Sequence, residues 1–468
     1  MPDEPTPIDP GRWAARLSEL AGRHGVPGAQ FGVLRLAPDG REEAFTVAHG
    51  VLDTDTGHPV TARSAFQIGS ITKLWTAAVV MGLVEEGLLT VDTPVAEVLP
   101  EAVPSGGATT AGVTVRHLLT HTSGIEGDLF TDTGRGDDAV EKYTALLAGA
   151  ARIHPLGATF SYCNSGFVLL GRIIERLTGR VWDEAMRERL FVPLGLERTG
   201  TLPEEALLND PAVGHVTGLP EPVRAPRWGL PRSVAPAGGV TADMGDLLRF
   251  AAAHLRGGTT ADGTRLLSPD TVRAMTEPQV RLPDVRTLGE AWGLGWILYD
   301  WDGHRVVGHD GNTVGQSAFL RLLPGSGLAV GLLTNGGRTR DLYQDLYGEV
   351  FDALAGVRVP GPVEPPAEPP RTDVSAHTGV YENAAERLEV LAGPDGPVLR
   401  TTALGPLAEL DPEPFQELPL AAVAPGVYAV RPQGALTWTP VTFYRLETGE
   451  EYVHHAGRAL PRVGAPAV

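Results

Sequence analysis

The sequence predicts an α+β chain: an antiparallel sheet flanked by helices, an all-helical lobe beside it, and a small β-domain at the C-terminal end. Three observations predict this. Alternating apolar segments lie near both ends of the first three quarters of the chain, and helical periodicity fills the stretch between them. Residues 359–371 read VPGPVEPPAEPPR, a stiff, extended spacer. Beyond it, short alternating runs are punctuated by Gly and Pro turns, as in a sandwich or barrel.

Taken in order, residues 12–24 have helical spacing. Residues 30–36 and 43–51 alternate and are joined by Pro38-Asp39-Gly40, which predicts two strands and a turn. Within 64–89, Ile71, Leu74, Ala78, Leu83 and Val84 recur at helical spacing, which predicts a long buried helix beginning near Ser70. Residues from about 92 to 275 are helical pieces and loops, with 167–177 and 244–255 the clearest helices. Strand character returns at 296–299, 305–308, 317–323 and 329–334, with turns at Asp302-Gly303 and Pro324-Gly325. Residues 341–354 close the unit as a helix. The expected domains are therefore 1–358, a linker at 359–371, and 372–468.

The chain has 468 residues and a formal net charge of −19, with no run of Lys or Arg. That charge repels phosphate backbones and anionic lipid, so neither nucleic acid nor a membrane surface is an expected partner. No apolar run is long enough to span a bilayer, and the N-terminus lacks the pattern of a secretory signal. The single cysteine, Cys163, excludes an internal disulfide. A cytoplasmic location is the expectation. Of 38 basic residues other than His, only Lys73 and Lys142 are lysines. Arg serves wherever a fixed charge suffices, so a retained lysine points to chemistry that Arg, which does not deprotonate, cannot perform.

Three short motifs carry chemistry. In Ser70-Ile71-Thr72-Lys73, positions i and i+3 share a helical face, so the hydroxyl and the amine can meet. A hydroxyl is a poor nucleophile without a base, and apolar neighbours such as Phe66, Ile68, Leu74 and Trp75 favour a buried, neutral lysine. In Tyr162-Cys163-Asn164, a tyrosine can relay a proton and an asparagine offers a donor and an acceptor to a substrate amide. A second copy, Tyr381-Glu382-Asn383, lies in the small β-domain. In His309-Asp310-Gly311, a strand beside Ser70 can supply the N–H of Asn312 as an oxyanion donor, after that of Ser70 itself, while Gly311 admits a substrate backbone. His-x-Gly recurs at His377 and His455.

In this order and spacing, the motifs resemble the serine β-lactamase and penicillin-binding-protein superfamily, closest to its class C, DD-peptidase and esterase-like branch. The stretch from His117 to Gly124 and the sheet segment after Gly308 resemble it too, so the likeness covers about residues 10–355. It implies a β-lactamase-like fold, Ser70 as nucleophile, Lys73 and Tyr162 as general base and acid, Asn164, His309 and Gly311 as substrate-positioning residues, and no cofactor. Many β-lactamases carry Lys where this chain has His309. A neutral histidine holds a carboxylate less well, which puts activity on β-lactam drugs in question.

A chain of this type with a C-terminal β-domain is similar to the penicillin-binding-protein-type thioesterases of nonribosomal peptide pathways, whose second domain is a lipocalin-like barrel. The resemblance implies a peptidyl thioester delivered by a carrier protein, a peptidyl-Ser70 ester, and release as a macrolactam. The alternatives are an esterase or amidase using water, a transacylase, and a silent peptide binder. Arg445 ends the apolar strand face of Val441 and Phe443. It is a candidate substrate contact from the C-terminal domain, although snorkelling to water is the favoured reading. Trp228 and Trp292 are candidate pocket residues. Cys163 reads as a small buried filler, and Lys142 as solvated. His117 and His121 read as partners of backbone groups. His454 and His455 have no third ligand at metal spacing, so no metal is expected.

Overall fold

Two strands, Gly28–Leu36 and Glu42–Gly50, pair as an antiparallel hairpin at one edge of an eight-stranded sheet. The sheet continues through Leu328–Thr334, Ser317–Leu323, His304–Asn312, Ile297–Trp301, Ala291–Trp292 and Val280–Arg281, antiparallel throughout. The early hairpin therefore closes on strands from the far end of the domain. This is a computed structural model, and it describes residues 7–102, 112–216, 222–370, 372–393, 396–408, 415–432 and 435–465. Arg371, the last residue of the expected linker, and the first six residues lie outside them.

Strand alternation gives the sheet two apolar faces. On one, Phe31, Val33 and Val330 meet Trp13, Leu17 and Leu20 of the helix Pro10–His24 and Leu342, Leu346 and Val350 of the helix Thr339–Ala355. Asp9 caps the first of these helices and Gly25 ends it in the left-handed region. On the other face, Leu34, Leu320 and Leu333 meet the helix Met244–Leu255 and the helical lobe. That helix lies over the paired glycines Gly32 and Gly331. A β-carbon on Gly32 would stand 2.5 Å from Met244 Cγ, and one on Gly331 would stand 2.6 Å from Met244 Sδ.

The long helix expected to begin near Ser70 begins two residues later. Residues Phe66–Gln67 form a short strand, Gly69–Ile71 a single 3-10 turn, and Thr72–Glu85 the helix proper, with apolar side chains buried on all its sides. The second long helix, Asn164–Thr178, begins three residues earlier than expected because Cys163 caps it, its Sγ accepting from Gly166 N at 3.2 Å.

Residues 359–370 have no regular secondary structure. After them come nine antiparallel strands in the order Phe415–Pro419, Gly396–Ala403, Glu386–Gly393, Gly379–Glu382, Arg458–Gly464, Glu451–His455, Thr439–Arg445, Val427–Val430 and Ala421–Ala424. The two edge strands are consecutive in the chain, so the sheet curls into a nearly closed barrel around Leu388, Val390, Tyr428, Val441, Val453 and Leu460. Among the described residues, no helix is long and apolar enough to cross a membrane.

Candidate active site

The nucleophile candidate stands on a backbone bend that only glycine permits. Gly69 has φ +51°, and a β-carbon on it would lie 2.6 Å from Asn312 N. A β-carbon on Gly311 would lie 1.9 Å from Ile68 O and 3.0 Å from Ser70 N. The 3-10 turn and the end of strand His304–Asn312 are thus in direct main-chain contact. This corrects the expectation for Gly311: the backbone it admits on that side is the Ser70 turn itself, not a substrate's.

Ser70 is partly exposed, and Lys73 below it is completely buried. Lys73 Nζ lies 3.0 Å from Ser70 Oγ, 2.7 Å from Asn164 Oδ1 and 2.6 Å from Ala237 O. Burial drives the lysine pKa well below its usual value, and the nearby Arg458 charge drives it further. A neutral amine has two N–H donors and one lone pair. Asn164 Oδ1 and Ala237 O can each take only a donated hydrogen, so the lone pair is left for the Ser70 O–H.

Tyr162 packs beside this pair. Lys73 Nζ stands 4.8 Å from the centre of its ring, and His121 stacks on it at 4.4 Å. The Tyr162 hydroxyl is buried and makes no regular hydrogen bond among the described residues. Burial holds its pKa up, while the approach of Ser70 draws it down. His309 faces Tyr162 across 6.1 Å and is 1% exposed. Burial above all lowers its pKa to about 3, so the ring is neutral. Its Nδ1–H donates to Asp310 O, which leaves Nε2 as a buried acceptor with no partner among the described residues. Asp310, one residue on, points through the sheet to Arg321 at 2.6 Å and Arg340 at 2.7 Å.

Asn164 is placed differently from its expected role. Its Oδ1 accepts from Lys73, and its Nδ2 donates to Asp128 Oδ1 at 2.6 Å, so both ends of the carboxamide are held by the protein. Asp128 in turn holds Arg458, with Nε to Oδ2 at 2.9 Å and Nη2 to Oδ1 at 3.2 Å. Arg458 comes from the C-terminal barrel, and its guanidinium lies 4.9 Å from the Tyr162 ring centre. The main chain follows it: Tyr162 N donates to Gly457 O at 3.0 Å, and Ala459 N donates to Ser161 Oγ at 3.1 Å.

The barrel therefore reaches the site, but through Arg458. Arg445 is 64% exposed and pairs with Glu451 at the strand end, which corrects its candidacy as a substrate contact. Neither Asp128 nor Arg458 belongs to a motif singled out in the sequence. The one available signal was the third His-x-Gly, at His455, immediately before Arg458. The second Tyr-x-Asn lies elsewhere: Tyr381 is in the barrel core, its hydroxyl donating to His377 O.

His121 and His117 do accept from backbone groups, those of Cys163 and Thr114. Lys142 pairs with Asp138 on the surface. Trp292 is fully buried against Phe160 and Tyr162, whereas Trp228 lines a cavity of about 510 Å³. Gln67, Phe130, Leu230, Gly238 and Val314 also line it, and Gly238 abuts the main chain of Gly69. Among the described residues, no group of three or more His, Cys, Asp or Glu has the arrangement to hold a metal.

Residues 13–355 match the family described as Beta-lactamase. The chain is 45% identical over 381 residues to Penicillin-binding protein 4 of Amycolatopsis lactamdurans, which covers 80% of this chain and 98% of that protein. The crystal structure of SurE superposes with a TM-score of 0.76 at 30% identity, covering 97% of this chain and 98% of the other. The structure of SurE with D-Leu superposes at 0.74 with 31% identity, covering 97% and 99%.

Proposed function

The chain belongs to the serine beta-lactamase and penicillin-binding-protein family, and from that membership we propose that it releases a peptidyl thioester as a macrolactam through an ester on Ser70. In the first step Ser70 Oγ attacks the thioester carbonyl and its proton passes to the lone pair of Lys73. The carbonyl oxygen, now negative, is met by the N–H groups of Ser70 and Asn312. Collapse expels the thiolate, which takes a proton relayed from Lys73 through Tyr162. In the second step the free amine of the same peptide attacks the ester carbonyl. The amine's surplus proton returns through Lys73 and Tyr162 to Ser70 Oγ as the C–O bond breaks.

The observation that carries this reading is the barrel segment Gly457–Arg458 lying against Tyr162. An acyl-serine ester reacts with whichever nucleophile is positioned, and a cyclase must hold an amine close while keeping water away. A second domain at the proton relay suits that task better than simple hydrolysis. The cavity of about 510 Å³ beside the Ser70 turn supports an acyl group of several residues. SurE has been crystallised with D-Leu, which supports a D-configured residue at the acyl end. A buried lysine in contact with Ser70 speaks against a silent binder, which needs no base.

The test is mass spectrometry of products from a short peptidyl thioester mimic with a free N-terminal amine and a C-terminal D-residue. A product one water lighter than the linear acid is expected. Linear acid alone would move the protein to the esterase and amidase reading.

A further inference from the structure

A continuous run of hydrogen bonds joins the nucleophile to the other end of the chain: Ser70 to Lys73 at 3.0 Å, Lys73 to Asn164 at 2.7 Å, Asn164 to Asp128 at 2.6 Å, and Asp128 to Arg458 at 2.9 Å. We infer that Asp128 and Arg458 are positioning residues for the catalytic base, so that the C-terminal barrel completes the active site by holding Asn164 and, through it, Lys73. The inference rests on Lys73 acting as the base.

The chemistry of the groups sets the direction of each bond. The Asp128 carboxylate only accepts, so Asn164 must turn its NH₂ toward it and its carbonyl oxygen toward Lys73. That carbonyl engages one amine N–H, and Ala237 O engages another. The lone pair is thereby aimed at Ser70. Without a carboxylate at 128 to orient it, the carboxamide is free to flip and present NH₂ to the amine, which would turn the lone pair away from the hydroxyl.

Charge makes the same demand. The groups facing Lys73 are His121 and Asp128 from the segment after the helix Val115–Leu119, Tyr162 and Cys163 from the loop before Asn164, His309 from the sheet, and Arg458 from the barrel. Burial keeps both histidines neutral, the tyrosine protonated, and the thiol protonated with its pKa raised to about 12. Among these groups only Asp128 and Arg458 carry charge, and they oppose each other. Asp128 alone would stabilise the ammonium form, and Arg458 offsets it. The barrel is also tied to the loop bearing Asp128 by Ala384 N donating to Glu126 Oε2 at 3.0 Å.

The test follows the pH dependence of Ser70 acylation by a small aryl ester, with a fluorophosphonate probe to count the site, in the full-length chain. In Arg458→Met the acidic limb, where Lys73 loses its proton, is expected to move up by about one pH unit while KM changes less than about twofold. Asp128→Asn is expected to move the limb down, and the double variant to return it toward the starting position. Arg458→Lys keeps the charge and should restore the limb. Limbs that stay put while activity falls evenly at every pH, or a rise in KM alone, would overturn this inference and leave Lys73 as base intact. Failure of the probe to label Ser70 in the unaltered protein would overturn the base assignment, and this inference with it.

Discussion

Lys73 can accept a proton from Ser70 only while it is neutral, and its two other contacts with Asn164 and Ala237 are made to acceptors. Ser70→Ala should therefore abolish turnover. Lys73→Arg should lower kcat about a thousandfold or more, because guanidinium keeps the charge and cannot take the proton. Steady-state assays on an aryl ester check both, and near-normal rates in Lys73→Arg would remove the lysine from the mechanism. Burial depresses the lysine pKa, so kcat/KM should rise with pH through that depressed value and not near the usual lysine range. The serine and the lysine were legible because their spacing is local: three residues along a helical path bring two side chains together whatever the rest of the chain does. Asn164 was legible as a site residue and its partners were not. A carboxamide can serve a substrate or a neighbour equally well, and only the position of Asp128 decides between them.

At the scale of elements, the glycine pair Gly32 and Gly331 lets the helix Met244–Leu255 lie close on the sheet. Gly331→Ala should cost about 1–3 kcal/mol in urea denaturation, since Met244 must move to admit a methyl group into a packed core. Combining it with Met244→Ala should recover part of that loss; a purely additive result would show that Met244 is not what the methyl group meets. Period-two and helical patterns located most strands and helices to within a few residues, because burial on one face leaves a direct trace in composition. The short strand before Ser70 left no such trace. Residues 64–69 are all buried, so no period marks the strand or the turn that follows it. The positive φ of Gly69 was hidden too, since it is needed for contact with Asn312, far away in sequence.

Across the whole molecule, stability should fall steeply with acid. His254, His309 and His454 are buried and have pKa values lowered to about 4, about 3 and about 3. In the unfolded chain each titrates near about 6.5, so below that pH the unfolded state binds more protons and gains at the expense of the fold. The urea midpoint should therefore drop as pH falls from about 6.5 toward 4. His455, whose pKa Glu386 raises on balance against burial, and Asp243, whose pKa burial raises to about 6, act in the opposite sense and offset part of this. A flat profile would mean that these rings do not remain neutral in the folded protein. The antiparallel sheet with its helices and the separate C-terminal β-sheet were legible from composition and periodicity. The docking between them was not, because an interface such as Arg458 on Asp128 joins two surfaces that share no periodicity. Ser70 and Arg458 stand on opposite sides of residues 359–370, so a single proteolytic nick there leaves Asp128 and its ion-pair partner on separate fragments.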